Sequence, residues 1–125
     1  MTTILDAGAL IALDRNDRAM WVRLKGLHVA GERPVTHGGV VGQAWRGGPR
    51  QARLATALAG MDVRSLDERL GRVAGELLAS ARTSHVVDAA LVALAADGDD
   101  IITLDTDDLG RLAASAGRHV ELIRP

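Results

Sequence analysis

Along the whole chain, short apolar runs closed by Asp, Gly or Pro alternate with longer segments of helical period. This alternation constrains the fold more than any other feature, because it marks an α/β domain built on a central, mainly parallel sheet. Thr3-Ile4-Leu5 reads as a first strand closed by Asp6 and followed by a helix over Ala7 to Leu13. A second helix, Arg18 to Ala30, carries Met20, Val22, Leu24 and Leu27 at amphipathic spacing. Pro34-Val35-Thr36 is a second strand, Gly39 to Arg46 a short helix, and Pro49 opens the next helix after the Gly47-Gly48 break. Met61 to Arg64 alternates as a third strand, and Asp67 caps a helix reaching about Arg82. Thr83 or Ser84 caps the next helix, which is expected to end near Asp97-Gly98. Ile101 to Leu104 is the clearest strand and is closed by Asp105. Asp107 or Asp108 then opens a helix from Leu109 to Ala116, and Val120 to Ile123 is the last strand. The expected architecture is therefore about five strands flanked by helices, with residues 1–125 forming one domain.

Composition removes several function classes. The chain has no cysteine, which excludes a disulfide framework, a thiolate metal site and a cysteine nucleophile. Tyr and Phe are absent and Trp21 and Trp45 are the only aromatic residues, so a platform for stacking single-stranded bases cannot be built. A formal charge of −1 argues against holding nucleic acid by bulk electrostatics. The longest apolar run, Ala89 to Ala96, is too short to span a bilayer, and the opening residues resemble no leader, so a cytoplasmic location is expected.

The acids are skewed, twelve Asp against four Glu, toward the short carboxylate that caps helices and ligates hard cations rigidly. In open α/β sheets the functional crevice lies beyond the carboxyl ends of the strands. Asp6 follows the first strand and Asp105 the fourth; Asp88 falls in the first turn of its helix and Asp108 within a turn of Asp105. Each has a plainer reading as a cap, a turn residue or a partner of a helix dipole. If the first and fourth strands are neighbours, however, the four carboxylates meet at one edge and repel. Mg²⁺ or Mn²⁺ would relieve that repulsion, orient a water, lower its pKa and stabilise the charge on a phosphodiester under attack.

The segments Ile4-Leu5-Asp6-Ala7-Gly8-Ala9-Leu10, Val86-Val87-Asp88-Ala89-Ala90 and Ile101-Ile102-Thr103-Leu104-Asp105-Thr106-Asp107-Asp108 resemble, in order and spacing, the three acidic motifs of PIN-domain ribonucleases. The likeness is greatest to the VapC-type toxins of toxin–antitoxin pairs. The resemblance implies a parallel sheet sandwiched between helices, a Mg²⁺ or Mn²⁺ site at Asp6, Asp88 and Asp105, Asp108 in support, and Thr103 as a nearby hydroxyl. It also implies endoribonuclease activity on structured RNA, a cognate antitoxin and a homodimer.

One position departs from the pattern, with Gln43 standing where such domains usually carry Glu. An amide oxygen can coordinate a cation but brings no charge and cannot act as a general base. The alternative is accordingly a PIN-like module that binds RNA or protein with little or no catalysis. Arg46, Arg50 and Arg53 form a candidate patch for RNA phosphates, although a solvated helix face is the plainer reading. His28, His37, His85 and His119 lack zinc-ligand spacing, though His37 is a candidate for the site mouth. Trp21 is expected in the core and Trp45 in packing. A phosphoacceptor receiver domain fits the length but lacks paired acids after the first strand, and the only lysine, Lys25, lies within a helix.

Overall fold

The computed structural model describes residues 1–82 and 85–125; Thr83 and Ser84, the expected cap, lie outside the described residues. The chain runs β1 (Thr3–Leu5), α1 (Ala7–Asp14), α2 (Arg18–Val29), β2 (Val35–His37), α3 (Gly38–Ala44), a 3-10 turn (Pro49–Gln51) and α4 (Ala52–Ala59). It continues through β3 (Asp62–Arg64), α5 (Glu68–Ala81), α6 (Val86–Ala93), β4 (Asp100–Ile102), α7 (Thr106–Ser115) and β5 (Glu121–Ile123). The sheet has the order β3-β2-β1-β4-β5 and every pairing is parallel.

Strand composition follows position in that order. β1 is buried along its whole length and Ile101 and Ile102 of β4 are fully buried, as expected where helices cover both faces of a parallel strand. The edge strands β3 and β5 carry Asp62, Arg64 and Glu121, charges that discourage pairing with another chain. Helices α1 to α4 pack among themselves and α5 to α7 among themselves. Right-handed crossovers leave β1 toward β2 and β4 toward β5 in opposite directions, so the two groups cover opposite faces. Leu10 and Leu13 from α1, Leu91 from α6 and Leu109 from α7 close the core on the two sides. Among the described residues no helix is long and apolar enough to cross a membrane.

Several element ends differ from expectation, each for a local reason. α6 stops at Ala93 because buried Asp99 accepts hydrogen bonds from the Ala96 and Thr2 N–H groups, both at 2.8 Å, and draws the chain toward β1. β4 spans Asp100–Ile102 because β1 offers only three residues to pair with. α7 begins at Thr106 with Asp105 as its cap, in place of Asp107 or Asp108. α3 ends at Ala44, and Pro49 opens a 3-10 turn before α4 begins. Trp21 is half-buried, its indole N–H donating to the Leu13 carbonyl, and Trp45 is partly exposed.

Asp67 is the cap of α5 as expected, its carboxylate accepting the Leu70 N–H at 2.9 Å. Asp67→Ala is expected to lower stability by about 1 kcal/mol, read from chemical denaturation.

Candidate metal centre

The chain leaves β1 toward β2 on one side and β4 toward β5 on the other, which makes the β1/β4 boundary the point where strand order reverses. Crevices of open α/β sheets form at such points, outside the carboxyl ends of the strands. The register pairs Leu5 with Ile102, so Asp6 and Thr103 leave the sheet side by side.

Asp6 is buried, and both of its oxygens are held. Oδ1 accepts the Ala7 N–H at 2.7 Å, and Oδ2 accepts the Thr103 hydroxyl at 2.8 Å. The fully buried Thr103 Oγ1 also accepts the Asp105 N–H at 2.9 Å, so one hydroxyl ties the carboxylate after β1 to the backbone after β4. Asp105 in turn accepts the Asp108 N–H at 3.3 Å and caps α7. Gly8 on α1 permits this approach, since a Cβ there would lie 2.8 Å from Leu104 Cγ.

Asp88 enters from α6, half-buried in its first turn. Its carboxyl is pushed up to about 6, first by burial, then by the negative charges of Asp6 and Asp105 and, more weakly, Asp108; His85 opposes the shift. Four acids from three separate segments therefore share one electrostatic neighbourhood. Asp108 is half-buried and ion-paired with Arg111.

Gln43 lies exposed on α3. Arg46 donates to the carbonyls of Gly42 and Trp45, Arg53 to that of Asp14 at 3.5 Å, and Arg50 is exposed on the 3-10 turn. Two side chains organise this region without a clear sequence signal. Buried Gln51 accepts the Arg46 and Gly47 N–H groups and donates to the Ala44 carbonyl, bracing the loop after α3. His37 is fully buried, not at the site mouth. Its Nδ1 accepts the Gly39 N–H at 3.0 Å, which assigns the proton to Nε2, donating to the Val87 carbonyl at 2.9 Å. Burial lowers the His37 pKa despite that carbonyl and the Asp6 charge, so the imidazole is a neutral tie between β2 and α6.

Among the described residues no three Asp, Glu, His or Cys side chains stand close enough to hold a metal ion between them. The donor chemistry nevertheless fits a hard divalent cation. All four acids offer oxygen, each Asp6 oxygen keeps a lone pair beyond its hydrogen bond, and a cation would offset both the burial and the neighbouring negative charges that raise Asp88 to about 6. A separate cavity of about 690 Å³ lies between α2 and α4 and is lined by Trp21, Val22, Leu24 and Pro34.

No family model matches the chain, and no curated protein matches it. Among solved structures it is similar to the crystal structure of VapBC2 from Rickettsia felis bound to a DNA fragment from their promoter. The TM-score is 0.68 at 13% sequence identity, over 98% of each chain. With five parallel strands in this order and seven α-helices among the described residues, the chain has a PIN-like α/β fold.

Proposed function

We propose that this chain is a Mg²⁺- or Mn²⁺-dependent endoribonuclease and the toxin of a toxin–antitoxin pair. The observation that carries the reading is geometric: the Thr103 hydroxyl ties Asp6 to the Asp105 backbone, Asp88 and Asp108 line one cleft, and burial together with the charges of Asp6 and Asp105 raises the Asp88 carboxyl to about 6. Structural ion networks rarely collect uncompensated like charges, whereas sites that bind cations do. Asp6, Asp88 and Asp105 would hold the metal and Asp108 would support them; the bound cation orients water and neutralises charge on the scissile phosphodiester. Thr103 fixes the Asp6 carboxylate and the Asp105 backbone relative to each other. Arg46, Arg50 and Arg53 supply phosphate contacts on the α3–α4 side. The likeness to VapBC2 supports an antitoxin partner whose peptide covers the acidic edge; a homodimer and a cytoplasmic location complete the proposal.

The test is cleavage of RNA with Mn²⁺, with and without EDTA. A non-catalytic RNA- or protein-binding module is the second reading, favoured by the uncharged, exposed Gln43. Gln43→Glu adds one negative charge and is expected to tighten Mn²⁺ binding about tenfold in calorimetric titration. Silence of both proteins at millimolar metal defeats the nuclease reading.

A further inference from the structure

Beside the four aspartates lies a cleft of about 290 Å³ where the end of α5, the start of α6 and α7 meet. Asp88 and Asp108 line it together with Arg82, His85, Arg111 and Leu112. Its volume is at the lower limit for small-molecule pockets, which run from about 300 Å³. The acids belong to the site already described; the three basic groups offer a cation no ligand there, although Arg111 pairs with Asp108 and His85 acts on the Asp88 carboxyl.

We propose that Arg82, His85 and Arg111 form a phosphate subsite that holds an RNA backbone phosphate next to the one under attack. This deepens the nuclease reading and rests on it. Arg111 directs one guanidinium nitrogen to Asp108, and that pair holds the rest of its donor fork at the rim of the cleft. Arg82 closes α5 in the left-handed conformation, φ 55°, at a position that favours Gly or Asn. Neither the chain's turn nor its cap requires a guanidinium at this position, and Arg82 lines the cleft. His85 precedes α6 without capping it through its side chain, and it lines the cleft.

The carboxylates of the cleft set a condition. Asp88 and Asp108 repel a phosphate in the metal-free protein, so the subsite fills only when a divalent cation sits on the acids. Arg111 is then less tightly bound to Asp108 and free to turn toward the phosphate. Neither Arg82 nor Arg111 is buried, so replacing them leaves the core intact.

The experiment measures fluorescence anisotropy of a short fluorescein-labelled single-stranded RNA, with Ca²⁺ supplied as the cation, and KM and kcat for RNA cleavage in Mn²⁺. Arg82→Asn, which tolerates the left-handed backbone, and Arg111→Gln are each expected to weaken binding about fivefold. The slope of log affinity against log salt should fall by about 0.7 per lost contact. KM rises and kcat is largely retained, while Lys25→Ala, in the α2–α4 groove, binds as wild type. Wild-type affinity and KM in both arginine variants overturn the subsite and leave the nuclease reading intact. RNA binding that falls in the variants while wild type cleaves nothing in Mn²⁺ overturns the nuclease reading and, with it, the placement beside an attacked phosphate, and leaves only an RNA-phosphate contact at the cleft. Failure of wild type to bind RNA overturns the subsite. So does an equal loss of affinity for a labelled polyglutamate peptide, which would assign the cleft to acidic protein side chains.

Discussion

Asp105→Asn is expected to reduce Mn²⁺-dependent RNA cleavage at least about 100-fold, beyond the range seen when an outer partner of a metal ligand is removed, with the fold unchanged. The substitution separates charge from structure because Asn caps helices as well as Asp does, so the bond to the Asp108 N–H and the start of α7 survive. Asp105 is also exposed, so no buried group loses a partner. Asp6→Asn should cost as much activity but perturbs more. The Asp6 oxygen that receives the Thr103 hydroxyl becomes an NH₂, leaving that hydroxyl proton without its acceptor, at about 1–2 kcal/mol of stability. The paired variants, assayed for initial rate and for thermal unfolding, should therefore show equal loss of activity and unequal loss of stability. Cleavage that survives both substitutions, or that persists in EDTA, removes these aspartates from the reaction.

The fold was legible from the sequence to the extent that it depends on pattern. The apolar runs around Ile4, Val35, Val63, Ile101 and Leu122 each became a strand within one or two residues of expectation, because each is bounded by breakers that act locally. The placement of Asp6 and Asp105 at the β1/β4 boundary needed only the adjacency of those strands, which the topology supplies. What could not be read depends on contacts across the fold. Asp105 became the cap of α7 because Thr103, the residue after β4, turns its hydroxyl to Asp6, far away in sequence. Asp99 ends α6 early by reaching Thr2. Arg82 and Arg111 lie far apart in the chain and meet only when α5 packs on α7, so spacing carries no trace of their cleft. The arginines nearest Gln43 were easier to notice, yet one guanidinium nitrogen of Arg46, Nη1, is turned back to the carbonyls of Gly42 and Trp45.

Asp88→Asn should stabilise the metal-free protein at neutral pH, the opposite of the usual effect of replacing a half-buried polar residue. A carboxyl whose folded pKa is raised binds its proton more tightly in the native state, so between the ordinary aspartate value of 3.8 and about 6 the native protein holds more protons than the unfolded chain. Stability then falls as pH rises through that window, and the penalty is complete above about 6. The shift corresponds to about 3 kcal/mol. Because Asp88 is only half-buried, solvent screening reduces this to about 1–2 kcal/mol. His37 acts in the opposite direction, since its lowered pKa removes stability as pH falls through the ordinary histidine value, but it is present in both proteins and cancels in their difference. In EDTA the stability difference between variant and wild type should be near zero at pH ~4 and grow to about 1–2 kcal/mol at pH ~7, read from denaturant midpoints. Adding Mn²⁺ should reverse the order. The cation binds the ionised carboxylate of wild type, lifting the repulsion and adding about 2.7 kcal/mol at a hundred times its dissociation constant, whereas the amide gains less. A difference that stays flat with pH, or Mn²⁺ that stabilises both proteins equally, would show that Asp88 does not share the field of Asp6 and Asp105 and would remove it from the site.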